Sequence, residues 1–325
     1  MRLKFYFFTS LLFSGSFFLS ACGFSRLTAV HDNDTRAPGA VECGSCHVLQ
    51  YEEWKSSAHA RATISPAFRE QAREYDPEDC LGCHQPGTVF DKDPSVRSYN
   101  RDEGVTCISC HLCGESMHGP FFSGAVATPH AIDQDNRFDP HSPESAALCG
   151  RCHQETYNRW QQHSVNQVPT CLVCHGAPVR RSVTQGTNFF SRMLVFFESV
   201  HSGYSHAMSL PDPTRTTALP KLQTCILPDG TLSFILINTL PHDLPTGSYG
   251  EKDFFFSIRQ HGVPVKKVAL GTPLASGGQR IFTVQLPAAR QRQPVTIALY
   301  RRQHPDNTVS LVILRKVLPL HCDSK

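Results

Sequence analysis

The stretch Cys43-Gly-Ser-Cys46-His47 decides how this chain is read, because its pattern returns as Cys80-Leu-Gly-Cys83-His84, Cys107-Ile-Ser-Cys110-His111, Cys149-Gly-Arg-Cys152-His153 and Cys171-Leu-Val-Cys174-His175. Two thiols separated by two residues and followed at once by an imidazole form the attachment signature of a c-type haem. The thiols bond the vinyl groups on one porphyrin edge, and the imidazole turns under the ring to bind iron. With 14 Cys and 17 His in 325 residues, composition alone yields roughly 0.03 such pentapeptides. Zinc ribbons also use Cys-x-x-Cys pairs but need no His directly after each second Cys. A thioredoxin-type pair occurs once, inside a βαβ pattern missing here. The expectation is five covalently attached haem c groups, held by Cys43, Cys46, Cys80, Cys83, Cys107, Cys110, Cys149, Cys152, Cys171 and Cys174, with His47, His84, His111, His153 and His175 as proximal iron ligands.

Upstream of the first site, Met1-Arg-Leu-Lys4 is followed by a mostly apolar, uncharged stretch over residues 5–19. That is a signal-peptide pattern, too short to span a bilayer comfortably as a helix. It ends Leu19-Ser20-Ala21-Cys22, which resembles the lipobox of bacterial lipoproteins. Residues 1–21 are then a leader and Cys22 a lipid anchor; the alternative is ordinary secretion with an incidental Cys. Gly23, in place of Asp, favours the outer membrane by analogy with such lipoproteins. Residues 22–42 carry no hydrophobic period and read as a flexible tether. Export agrees with the haem sites, since haem is attached outside the cytoplasm. The expected location is the periplasmic or cell-surface side of a membrane.

Residues 43–210 form the expected haem domain, and they hold few apolar runs able to make a core unaided. The porphyrins must supply that core, ordering a segment whose own burial would not offset its chain entropy. Short helices, mainly after each attachment site, and Pro- and Gly-rich loops are expected. An internal repeat runs through this region: Tyr51 and Trp54 follow His47 at the same offsets as Tyr157 and Trp160 follow His153. On a helix those positions share one face, where they lean on haem or make an ordinary apolar stripe. His59 and His163 follow in the two copies.

Low-spin haems need a sixth ligand, usually a second His. Beyond Met1 only Met117, Met193 and Met208 compete, so His/His ligation and low potentials are expected. The motifs resemble a family of periplasmic and surface multihaem c-type cytochromes related to the tetrahaem electron acceptor of hydroxylamine oxidoreductase. The resemblance rests on Trp54-Lys-Ser-Ser-Ala-His59, on Gly104-Val105-Thr-Cys107 through His111 with His118 beyond it, on His201-Ser-Gly-Tyr-Ser-His206, and on Asn238-Thr-Leu-Pro-His242-Asp-Leu-Pro245-Thr246-Gly247. It implies His59, His118, His163, His206 and His242 as distal ligands, with His201 as a further candidate. Two departures weaken the match: Leu112-Cys113 stands where the family has Gly-Pro, and Pro241 where it has Gly. His31, His130, His141, His261, His304 and His321 are expected at the surface, with His130 and His141 in reserve.

From Lys221 onward the texture turns to β. Runs over 231–240, 253–259, 280–286, 294–300 and 308–317 are rich in Phe, Ile, Val and Leu and are broken by Pro-Asp-Gly, Thr-Gly-Ser-Tyr-Gly and Ser-Gly-Gly. Phe254, Phe256 and Ile258 alternate with Phe255, Ser257 and Arg259, as a half-buried strand requires. Residues 211–325 are therefore expected as an immunoglobulin-like β-sandwich of six or seven strands. Cys225 and Cys322 bracket it and invite a disulfide, while Cys113 is left over as an odd thiol. The fold class is α+β: a loop-rich, mainly α multihaem domain followed by the sandwich.

Closely spaced redox centres and the absence of Cys-x-x-Cys-Lys from the sequence favour an electron carrier between periplasmic or membrane redox partners. The rival is a reductase or oxidase of nitrite, nitric oxide or hydroxylamine at a haem with an open sixth position, so enzyme status stays open. A third reading makes the β-domain a docking module. The formal charge of +3 includes Arg2 and Lys4 of the leader, and no basic footprint for nucleic acid is visible.

Overall fold

The computed structural model describes residues 38–73, 76–91, 95–121, 130, 132–164, 168–186, 189–196, 198–209, 219–247, 254–287, 294–302 and 310–318; the expected leader, Cys22 and Cys322 lie outside them. In chain order the helices are α1 (Ala40–Gly44), α2 (Val48–Ser56), α3 (Pro66–Gln71), α4 (Pro77–His84), α5 (Cys107–His111), α6 (Pro143–Gly150), α7 (Gln154–Ser164), α8 (Cys171–His175) and α9 (Phe189–Val195). Among the described residues no helix is long and apolar enough to cross a membrane. The chain divides into two compact units, one of residues 1–63, 77–139 and 180–201, the other of residues 64–76, 140–179 and 202–325. The fourth and fifth Cys-x-x-Cys-His sites therefore fold with the C-terminal strands.

In the first unit the helices are short because each attachment turn carries its own stop and start signals. Thr106 stands at the N-terminal boundary of α5, where its N–H donates to Ser109 Oγ. Strands β1 (Leu112–Cys113) and β2 (Ser116–Gly119) pair antiparallel, and β2 pairs parallel with β3 (Ile132–Gln134). The apolar core is small: Ile108 and Leu112, packed against Tyr99 and Met117. A polar staple compensates. Arg97, only 2% exposed, donates to the carbonyls of Tyr99, Pro86, Asn100, Glu103 and Gly104 and to Ser109 Oγ. It thus ties the loop after the second site to the turn before the third.

In the second unit, α6 starts at Pro143 after a Ser142 cap. Two antiparallel sheets share one core. The first has the order β10 (Gln279–Gln285), β7 (Thr231–Ile237), β6 (Lys221–Ile226); the second β12 (Ser310–Leu318), β11 (Val295–Arg302), β8 (Phe254–Gln260), β9 (Val263–Ala269). Period-2 burial is plain in β7, where Leu232, Phe234 and Leu236 point inward with no exposed surface. Phe234 meets Phe256 of the other sheet edge-on, with ring centres 4.9 Å apart, and stacks on Phe282 at 5.0 Å. Such pairs add about 0.5–1.5 kcal/mol beyond the area they bury. Cys225 on β6 is disulfide-bonded, and its partner lies outside the described residues.

Candidate haem-binding sites

The second, third and fifth attachment motifs lie within helices α4, α5 and α8, and the first and fourth begin at the ends of α1 and α6 and run into a turn. At the first and fourth sites the turn closes with His47 N–H donating to Cys43 O at 2.9 Å and His153 N–H to Cys149 O at 3.0 Å. Both sites have Gly after the first Cys. A Cβ on Gly44 would lie 2.6 Å from the Tyr51 ring, and one on Gly150 would lie 2.5 Å from that of Tyr157. The repeat predicted from Tyr51, Trp54, Tyr157 and Trp160 is thus a repeat of packing. In each copy the Tyr and Trp ring centres are 5.8 Å apart.

The two tryptophans reveal what the repeat joins. Trp54 Nε1 donates to Val105 O at 2.7 Å, and Trp160 Nε1 to Pro169 O at 2.9 Å. Val105 stands two residues before Cys107, and Pro169 two residues before Cys171. The first helix of each copy therefore grips the approach to another attachment site: the third in the first unit, the fifth in the second. The helices follow suit. Helix α1, which carries Cys43, packs against α5, which carries Cys107, and α6, which carries Cys149, packs against α8, which carries Cys171. Desolvation alone pushes Cys110 up to about 11. Sites one and three, and sites four and five, are thus neighbours within their units.

The imidazoles are presented in a shared way. Nδ1 of His47 faces Val183 O at 2.9 Å, that of His84 faces Ala62 O at 2.8 Å, that of His111 faces His118 O at 2.7 Å and that of His175 faces Ser209 O at 3.1 Å. A main-chain carbonyl takes the Nδ1 proton, which leaves Nε2 as the ligating nitrogen. Burial lowers the pKa of His111 and of His175, and His47, His130 and His118 near the first, with His242, His153 and Arg301 near the second, lower them further. Imidazoles whose Nδ1 is held by a carbonyl, next to Cys pairs separated by two residues, are a donor set that fits haem c. Among the described residues no three or more His, Cys, Asp or Glu converge to hold a bare metal ion.

The expected distal histidines are placed as follows. His118 lies on β2 with Nδ1 2.9 Å from Asp135 Oδ2. His59 sits where its carbonyl accepts from Val105 N at 3.0 Å, so close to Gly104 that a Cβ there would stand 2.2 Å from it. His163 is half-buried near the end of α7, and His206 is half-buried just after β5 (His201–Tyr204). His201 packs on Phe121 at 4.4 Å. His242 has its pKa lowered by burial and its Nδ1 on Asp243 O. Its loop is anchored by the buried Asn238, which donates to His242 O and Leu274 O, and by Arg159 to Asp243 at 3.3 Å and Thr156 to Thr246 at 2.8 Å, both from α7. His130, expected at the surface, instead faces His47 with ring centres 6.1 Å apart. Two imidazoles bonded at roughly 2 Å to one metal, each ring centre about 1 Å behind its nitrogen, stand roughly 6 Å apart. No motif flags His130 in the sequence.

The family described as cytochrome c554 and c-prime matches residues 42–112, which hold the first three sites. Cytochrome c-554 of Nitrosomonas europaea is 31% identical over 159 residues, covering 40% of this chain and 65% of its own length. The matches support a multihaem c-type cytochrome related to cytochrome c-554. The chain thus spans 65% of the length of that curated relative. A solved structure of the rat CD45 extracellular region, domains d3-d4, overlaps 44% of this chain and 62% of its own at 8% identity, with a TM-score of 0.18 that carries no argument.

Proposed function

We propose that this chain is a pentahaem c-type cytochrome that carries electrons between periplasmic or membrane redox partners. The packing of α1 on α5 and of α6 on α8, which sets sites one and three, and sites four and five, beside each other, carries this reading. Bound haem supplies one-electron chemistry, its iron alternating between ferric and ferrous. The chain's part is to fix the porphyrin edges side by side through Cys43 and Cys107, and through Cys149 and Cys171. It also holds the proximal imidazoles rigidly, so that little has to reorganise when charge moves.

In the same reading His47 and His130 are the two axial ligands of the first site, supported by their ring separation of 6.1 Å. The other sixth positions are drawn from His59, His118, His163, His206, His242 and His201. The mature protein is a lipoprotein anchored through Cys22, with the outer membrane favoured. The C-terminal strands are an immunoglobulin-like sandwich, an assignment supported by seven strands in one three-stranded and one four-stranded antiparallel sheet over a shared core.

Mass spectrometry of the mature holoprotein tests the count: five haems support the proposal and any smaller number overturns it. EPR of the oxidised protein tests the carrier role. Low-spin His/His signals throughout are expected, whereas a high-spin signal that shifts with nitrite or hydroxylamine would make it an enzyme. His130→Ala should turn one low-spin haem high-spin; an unchanged spectrum removes His130 from the ligand set. Cys22→Ser should release the protein from membranes.

A further inference from the structure

Five imidazoles, those of His47, His84, His111, His175 and His242, set Nδ1 against a main-chain carbonyl. His118 does something different. Its Nδ1 stands 2.9 Å from Oδ2 of Asp135, a carboxylate whose side chain is only 9% exposed. Asp135 is itself held by Arg137, whose Nε lies 2.9 Å from Oδ1 and 2.8 Å from Oδ2, and whose Nη2 also donates to Oδ2. The Arg137 guanidinium covers the Phe90 ring at 4.0 Å, and Phe90 packs on His118 with ring centres 5.7 Å apart. Each member of this closed set of four fixes the next. The remaining carboxylate nearby, Asp133, has Oδ2 4.0 Å from His118 Nε2, beyond hydrogen-bond range, and Nε2 is not taken by it.

A carboxylate that accepts the Nδ1 proton does two things a carbonyl does less strongly. It fixes the tautomer that offers Nε2 to a metal, and it pushes electron density onto the ring, making the imidazole a more basic ligand. A more basic ligand stabilises ferric over ferrous iron, the direction opposite to a high potential. Arg137 keeps the carboxylate in place and offsets part of its charge.

We propose that Asp135 is a positioning residue that orients His118 and holds the haem completed by His118 at a lower potential than carbonyl-supported histidines give. The inference rests on the reading of His118 as a distal ligand. It predicts one haem, and one only, whose potential answers to Asp135.

The test uses the full holoprotein, with EPR-monitored redox titration of wild type, Asp135→Asn, Asp135→Ser and His118→Ala. Asp135 also caps a 3-10 turn at Asn136–Phe138 by accepting the Arg137 N–H. Asn and Ser both keep a capping side chain, so a purely structural role should survive either change. For Asp135→Asn and Asp135→Ser we expect all haems to stay low-spin, while the reduction equilibrium of one shifts about tenfold toward ferrous, about 59 mV for one electron. Its low-spin g-values should shift with it. If His118→Ala produces one high-spin haem while both Asp135 variants leave every potential and g-value unchanged, the Asp135 proposal is overturned and the ligand reading stands. If His118→Ala leaves all haems low-spin, the ligand reading fails first.

Discussion

Removing the guanidinium of Arg97 should loosen the loop that links the second and third attachment sites. The side chain is 2% exposed and spends its five N–H groups on five carbonyls and Ser109 Oγ. Arg97→Met keeps the apolar stem and orphans those acceptors. The bonds to Pro86 O, Ser109 Oγ and Gly104 O are buried, where an unsatisfied group costs about 1–3 kcal/mol. Water can rescue the outer acceptors, and carbonyls keep a second lone pair, so the low end of that range applies to each. The expected loss is about 3–5 kcal/mol, the size seen when one member of a buried charged set is removed. Arg97→Lys should recover less than half of it, because an ammonium cannot span the same fork. The assay is denaturant unfolding of the holoprotein, with amide exchange at Gly104 and Val105 to localise the loss. A change below 1 kcal/mol for Arg97→Met, or full recovery with Lys, would refute the reasoning.

Trp54→Phe and Trp160→Phe each delete a bond to a carbonyl ahead of another haem site, so both should cost about 1–2 kcal/mol; unequal losses in denaturant titrations would deny that the two copies are equivalent. Phe256→Ala in the core of the sheets should cost about 3–5 kcal/mol, read by the same titration, while the count of low-spin haems stays fixed. Glu103 accepts from Ala40 N at 2.9 Å, yet desolvation raises its pKa above the ordinary 4.5. An acid that binds its proton more tightly folded than unfolded adds stability as pH falls through its raised folded value toward 4.5. Glu103→Gln should flatten that segment of the stability–pH curve, and an unchanged slope would contradict the shift.

The attachment motifs are legible because covalent attachment needs its three groups contiguous, so the expected chemistry is written directly into residues 43–47 and their copies. Strands β7, β8, β10, β11 and β12 were legible as runs of Phe, Ile, Val and Leu between turn residues; in β8, Phe254, Phe256 and Ile258 are buried as alternation predicts, but Phe255 on the other face is buried as well. Strand β9 was not: among the described residues it pairs only with β8, and as an edge there it carries Pro264, Lys266 and Lys267, which read as loop but suit an exposed border. His130 stood only in reserve because its contact with His47, 83 positions earlier, is non-local and leaves no spacing signal in the sequence. Arg97 and Asp135 carried no signal for the same reason. Their neighbours in sequence are polar, and only packing shows that one is buried and the other leans on a histidine.

Where the Nδ1 partner of a histidine is a carbonyl, the partner belongs to the backbone of Val183, Ala62, His118, Ser209 or Asp243 rather than to a side chain. No point substitution can delete such an acceptor; it can only be displaced by rebuilding the local chain. Random mutation therefore has little grip on those sites, and drift would leave their electronic settings largely where they are. Asp135 is different in kind, since one base change can abolish the contact. Among these histidine contacts, the Asp135 carboxylate is the one that selection, or an engineer, can reach by a single substitution, while the carbonyl contacts are locked.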